Sequence, residues 1–335
     1  MENIIITSQD PTSYIKEPSK YKNNSGQDLF GYPLSQMSQA FLYYNYYLNS
    51  GEINKAILIF EHIKLGIEIE ELCSMAKKYY IKIAKALGLT NNDIDDLTWH
   101  LYSLYLNKPI ADIKQLVHKI QSSQQERWNL LVPDQDNITV DQLNAYYDGE
   151  EFPSEIINIT SGLPLAYRTL PALIQKQFGF KRVFDFGGNI GISLSVLANN
   201  DPTSKYTLIE LNTQAMNFAK WRNDLIGLTN IDYINSNTLN KDTLKGQFDF
   251  GICTEVLEHL YDVEAILEII SNLLEPGGVL FLTASFGYYP HPGHLKKNVK
   301  YSGHEDLLLN KFGFTPIKLN LPIPLLNSFH IYKKL

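Results

Sequence analysis

The sequence predicts an α/β fold, a mainly parallel sheet preceded by an all-α N-terminal region, and three observations carry that expectation. Residues 182–194, RVFDFGGNIGISL, read as a short buried strand, a tight glycine turn and the first turns of a helix. From there to residue 332, short apolar runs alternate with helical stretches, the pattern of a parallel sheet with crossover helices. Upstream, from Pro33 to about Ser122, apolar residues recur at helical spacing.

Taken in order, residues 1–32 mix Ser, Asn, Pro, Gly and Lys without a period, which suggests an irregular arm. Met37, Phe41, Leu42, Tyr44 and Leu48 open the helical region, and Ala56, Ile59 and Ile63 continue it. Further helices are expected over 67–87, 92–106 and 110–120, separated by turn signals such as Asn49-Ser50-Gly51. Leu130 to Asn137, LLVPDQDN, has the Pro and Asp content of a linker, so the boundary between a 1–135 helical domain and a 136–335 α/β domain is placed there. Residues 139–147 can form a short amphipathic helix carrying Tyr146 and Tyr147, and helices over 155–178 lead into the glycine strand. The remaining strands are expected at 206–211, 231–234, 248–253, 279–283, 314–321 and 328–332.

Composition excludes several classes. A chain of 335 residues is long enough for two domains with a large core. Its formal net charge is −7, with no basic stripe to displace phosphate counterions, so no nucleic-acid partner is expected. The basic run 296–300 reads as a solvated loop. No apolar run reaches bilayer length and no export signal precedes Ile4, so no membrane association and a cytoplasmic setting are expected. Cys73 and Cys253 are far apart, which leaves neither a disulfide framework nor a cysteine zinc site.

Gly187, Gly188, Asn189 and Gly191 form a turn in which the backbone can approach a ligand, opening a helix whose first N–H groups are free. About twenty residues on, Glu210 ends a strand where a carboxylate can accept both hydroxyls of a ribose. The segments FDFGICTEVLEHL and LLEPGGVLFL follow. Together these motifs resemble the class I S-adenosylmethionine (SAM) dependent methyltransferases, and in particular the branch that includes ubiquinone-biosynthesis methyltransferases. Asn189 stands where that family's turn has its middle glycine, and Asn is the residue that best tolerates left-handed backbone in its place. A dinucleotide-binding reading fits less well, because Asn189 and Ile192 occupy two of the three glycine positions of that fingerprint.

The resemblance implies a Rossmann-like sheet of seven strands, the last antiparallel, with SAM beyond the strands' carboxyl ends. It implies Asp185 and Gly187 at the methionine end of SAM, Glu210 with Leu211 at the ribose, and Ser236 and Asn237 beside the adenine. Thr254 and Glu255 would border the reacting centre. In that family the segment before the glycine strand often folds over the cofactor, so Tyr146 or Tyr147 could face the sulfonium, with packing residues as the alternative reading for both. No metal is expected. The candidates, were one bound, are Glu255, Glu258 and His259, whose i, i+3, i+4 spacing would align them on one helical face and which some related O-methyltransferases use for a divalent ion.

The loop FGYYPHPGH, residues 286–294, supplies the substrate-site candidates Tyr288, Tyr289, His291 and His294, a histidine serving as general base. His304, near the start of a helix, is a weaker candidate. The expected activity is methyl transfer from SAM to a small molecule in specialised metabolism, with the helical region capping the site, binding substrate or mediating a homodimer. Two alternatives stay open. The same fold can let SAM's own amino group displace methylthioadenosine and close a four-membered ring, as in the azetidine-2-carboxylate synthases. A SAM-binding subunit without catalysis is the other.

Overall fold

The computed structural model describes residues 28–29, 32–33, 51, 74–90, 94–147, 162–240, 242–287, 291–317 and 330–335. The expected helices around Met37 to Ile63, and Tyr288 and Tyr289, lie outside the described residues, as does most of the N-terminal arm. The helices are α1 (74–86), α2 (Ile94–Leu106), α3 (Ile110–Leu131), α4 (Val140–Tyr147) and α5 (Gly162–Phe178) before the sheet. Within the α/β part come α6 (Ile192–Asn200), α7 (Thr213–Asp224), α8 (Val263–Leu273) and α9 (Glu305–Asn310).

Apart from a short antiparallel pair, Asp28–Leu29 with Tyr32–Pro33, the strands are β1 (Arg182–Phe186), β2 (Lys205–Glu210), β3 (Ile231–Asn235), β4 (Phe248–Thr254), β5 (Leu274–Thr283), β6 (Phe314–Pro316) and β7 (His330–Lys334). They form one seven-stranded sheet in the order β3-β2-β1-β4-β5-β7-β6. Pairings from β3 to β5 are parallel, and β7 is antiparallel to both neighbours, as the family resemblance implies. The order reverses between β1 and β4, and at such a switch point a crevice opens at the carboxyl ends.

The four outer-to-inner residues Val183, Phe184, Asp185 and Phe186 are buried because helices cover both faces of β1. Strand β5 is longer than expected: Leu274 pairs with Phe248 and Val279 with Phe250, so Glu275-Pro276-Gly277-Gly278 is a bulge inside the strand rather than a loop before it. The i+4 backbone ladder of α3 also runs past residue 120 to Leu131, because 121–129 contain neither Pro nor Gly and Trp128 is buried. Residues Lys296–Tyr301 are a 3-10 helix, not a loop, with the Lys297 ammonium over the Tyr261 ring.

The helices before the sheet share its core. Tyr102 of α2 stacks on Phe218 of α7 with ring centroids 4.9 Å apart, and Tyr105 meets Phe218 and Trp221. Tyr79 of α1 donates to Asn223 and accepts from Arg222, both on α7. On the opposite flank, Trp128, Val132, Ile138 and Leu143 pack with Leu295, which seats α3 and α4 over the carboxyl end of the sheet.

Candidate active site

Strand β1 delivers the chain into a turn that requires left-handed backbone at Gly187, Asn189 and Gly191 (φ 71°, 52° and 64°). The Gly187 N–H donates to Ile209 O at 2.8 Å, tying the turn to β2. A Cβ on Gly187 would lie 2.5 Å from Val256 Cγ2. Gly187→Ala therefore combines backbone strain of roughly 1–2 kcal/mol with a shifted Val256. We expect it to weaken SAM binding about tenfold or more by calorimetry; affinity within twofold of wild type would show that the turn tolerates a side chain.

Glu210 holds the turn from β2. Its carboxylate accepts from the Asn189 N–H at 2.6 Å and the Asn212 N–H at 2.8 Å. Burial pushes its pKa up, and those backbone donors pull the other way. Asp185, fully buried beneath the turn, is pushed up to about 7 by burial first, with Glu210 adding to the rise and Arg168 opposing it. Among the described residues its Oδ1 has no hydrogen-bond partner. Arg168, from α5, donates to the Thr254 hydroxyl and lies close enough to Asp185 and Glu255 to favour their charged forms.

Above the strand ends lies a cavity of about 480 Å³, within the usual size of small-molecule sites. Phe186, Gly187, Asn189, Glu210, Leu211, Asn212, Ser236 and Asn237 line one wall, and Glu255, Val256 and His259 another. Its roof comes from the helices before the sheet, where Tyr146 and Tyr147 face in alongside Leu143 and Arg127. Arg127 donates to the carbonyls of Ala145 and Tyr146 at 3.2 and 3.1 Å, capping the C-terminus of α4, and its guanidinium lies over the Tyr146 ring. Tyr147 is fixed at both ends, its carbonyl accepting from Asn212 Nδ2 and its hydroxyl reaching His259 and Gly293.

The helical face expected for Glu255, Glu258 and His259 does not form. Glu255 has φ 55°, and Leu257–His259 is a single 3-10 turn, so the i, i+3, i+4 relation of an α-helix is lost. Glu255 instead accepts from the Ser285 hydroxyl, while the Ser285 N–H donates to Glu258 Oε1 at 3.1 Å. Burial raises the Glu258 pKa and the nearby Glu255 charge raises it further. Burial acts the same way on Glu255, but the Ser285 and Thr283 hydroxyls outweigh it and hold that carboxylate below its ordinary value.

Glu258 and His259 are joined instead by His294, their ligating atoms all within 4.8 Å of one another. The His259 and His294 rings meet edge to face at 4.6 Å, and His291 lies 4.7 Å from His294. Glu258 Oε2 is buried without a hydrogen-bond partner among the described residues. One carboxylate and two imidazoles at this spacing suit a divalent cation. His304 sits at the N-cap of α9. Sequence patterns missed Arg168, Asn212 and Ser285, which come from a helix, a strand end and a loop with no glycine or spacing signal.

A mainly parallel sheet with a glycine turn, a strand-end glutamate and a cavity at its switch point defines a nucleotide-type ligand domain of the doubly wound class. Residues 184–280 match the family described as "Methyltransferase domain". The chain is 29% identical over 156 residues to an uncharacterized protein of Synechococcus, covering 43% of this chain and 37% of that protein. It is 28% identical over 137 residues to the ubiquinone biosynthesis O-methyltransferase of Erwinia tasmaniensis, 41% of this chain and 53% of that protein. The chain thus spans about half or less of the length of these relatives. A SAM dependent methyltransferase from Aquifex aeolicus aligns with TM-score 0.38 and 18% identity, over 49% of this chain and 87% of that one. The chain carries a class I SAM-dependent methyltransferase domain. Among the described residues, no helix is long and apolar enough to cross a membrane.

Proposed function

We propose that this protein transfers a methyl group from SAM to a hydroxyl of a small molecule held under its helical cap. One observation carries the reading: a single cavity joins the glycine turn, Glu210 and Asn237 to Glu255 and His259, and Tyr146 and Tyr147 roof it. In this reading Asp185 meets the ammonium of SAM's methionine end and Arg168 its carboxylate. Glu210 takes the ribose hydroxyls, and the amide of Asn237 accepts from the adenine amino group. The tyrosine faces favour the sulfonium charge. The cap excludes water and aligns the nucleophile with the S–CH3 bond. As the new O–CH3 bond forms, the C–S pair returns to sulfur, giving S-adenosylhomocysteine, and Glu255 accepts the hydroxyl proton. Glu258, His259 and His294 would hold a divalent cation, which when bound lowers an acceptor hydroxyl's pKa.

Incubating purified protein with SAM alone, followed by mass spectrometry, tests the class of reaction. Intact SAM is expected. Methylthioadenosine with a cyclised amino acid would sink the transferase reading in favour of the cyclase, and failure to bind SAM at all would sink both. The cation is tested by Mn²⁺ titration of the same protein. Glu258→Gln and His294→Ala are each expected to lower Mn²⁺ affinity about tenfold or more, and unchanged affinity removes the cation from the reading.

A further inference from the structure

The cavity roof carries a positive charge that its own hydrogen-bond partners leave uncompensated. Arg127 is the one lysine or arginine among the described residues lining the cavity, whereas Glu210, Glu255 and Asp262 line it as acids. It is half-buried, and its Nη2 donates to the Ala145 and Tyr146 carbonyls. Carbonyl dipoles satisfy hydrogen bonds but supply no net negative charge. Of the five N–H donors of a guanidinium, those on Nε and Nη1 take no acceptor among the described residues. The ion pairs that the described residues form all lie elsewhere. A half-buried guanidinium facing a cavity without a carboxylate favours an anion brought by a ligand.

Arg127, Tyr146, Tyr147 and His259 follow one another along the roof at separations of 5.5, 5.0 and 5.6 Å. Arg127 stands at one end of this row and His259, on the wall that also holds Glu255, at the other. Ile120 of α3 and Leu143 of α4 add apolar surface to the same cavity. We propose that the acceptor is a hydroxy acid, its carboxylate paired with Arg127, its apolar body under the α3–α4 roof and its hydroxyl at Glu255. The proposal rests on the reading of this cavity as a methyl-transfer site and names the acceptor's class. One guanidinium balances a monoanion, which a carboxylate is and a phosphate monoester at neutral pH is not. Because the cavity's other charged side chains are acids, the anion has one place to go. Arg127 thereby decides which end of the acceptor meets SAM, and the helical cap selects the substrate as well as covering it.

The test is calorimetry at pH 8 on the full chain saturated with S-adenosylhomocysteine. The probes are 4-hydroxybenzoate, 4-hydroxyphenylacetate and 4-hydroxycinnamate, which grade the distance between hydroxyl and carboxylate, each paired with its neutral amide. For at least one pair, wild type is expected to bind the acid about tenfold or more tighter than the amide. Arg127→Gln should bring the two within about twofold, by weakening the acid and sparing the amide. Arg127→Lys, which keeps the charge, should keep a preference for the acid. Acid and amide share a shape, so a role for Arg127 confined to holding α4 would weaken both alike and leave their ratio unmoved. Equal affinity of acid and amide in every pair, no binding of any acid, or an acid preference unchanged in Arg127→Gln overturns the proposal. The wild-type and Arg127→Lys ratios still decide should Arg127→Gln fail to fold. Failure of the methyl-transfer reading shows separately, as S-adenosylhomocysteine that does not bind or as methylthioadenosine formed from SAM alone.

Discussion

Arg222→Ala is expected to destabilise the protein by about 3–5 kcal/mol. Arg222 is among the most deeply buried side chains of the chain, and its guanidinium donates to the Tyr79 hydroxyl at 2.7 Å, Ile190 O at 2.7 Å and Ser195 Oγ at 3.1 Å. Truncation strands these buried acceptors at roughly 1–3 kcal/mol each and leaves a cavity as well. The three partners belong to different parts of the fold: α1 of the cap, the glycine turn and α6. Loss of the arginine should therefore loosen the turn as well as the core, and SAM affinity should fall along with stability. Tyr79→Phe removes one bond and is expected to cost about 1–2 kcal/mol. Urea unfolding of both variants checks the pair; a loss below about 1 kcal/mol for Arg222→Ala would mean that water or local repacking replaces the arginine.

Burial and local chemistry explain which parts of the molecule were legible in the sequence. The sheet was, because β1, β2 and β4 are buried on both faces and read as apolar runs, and the antiparallel last strand came with the family resemblance. The glycine turn and Glu210 were legible because positive φ and a strand-end carboxylate each restrict residue type. The EVLEH segment misled for an equally local reason. Its spacing presumes α-helical backbone, while the left-handed Glu255 and a 3-10 turn send Glu255 to Ser285 and leave His294 to complete the cluster. Arg168 and Arg222 were illegible because an arginine in a helix looks solvated until tertiary packing shows what it meets. The sequence left Tyr146 and Tyr147 open between facing the cofactor and packing, and the hydroxyl contact of Tyr147 with His259 spans 112 positions, so no local pattern encodes it.

Asp185→Asn is expected to make the SAM-free protein more stable at pH 8 and to bind SAM more weakly. In the SAM-free fold Asp185 is pushed up to about 7, against about 3.9 for an unfolded aspartate. A carboxyl whose folded pKa lies above its unfolded one favours the fold fully below about pH 4, and that contribution is lost as pH rises through 7. A rise of this size corresponds to roughly 4 kcal/mol of destabilisation at high pH. The neutral amide escapes it. SAM reverses the balance, because its ammonium, protonated below about pH 7.5, supplies the charge that burial denies the carboxylate. Affinity of the wild type should thus weaken about tenfold per pH unit below pH 6, where the carboxyl must ionise to bind. Glu210, also raised by burial, adds to that slope, and Arg168 opposes it. Asp185→Asn should keep only the Glu210 part. Thermal melts and calorimetry from pH 5 to 8, with and without SAM, read both quantities on one pair of proteins. A variant less stable than wild type at pH 8, or a pH profile of affinity unchanged by the substitution, would show that Asp185 does not carry the binding charge.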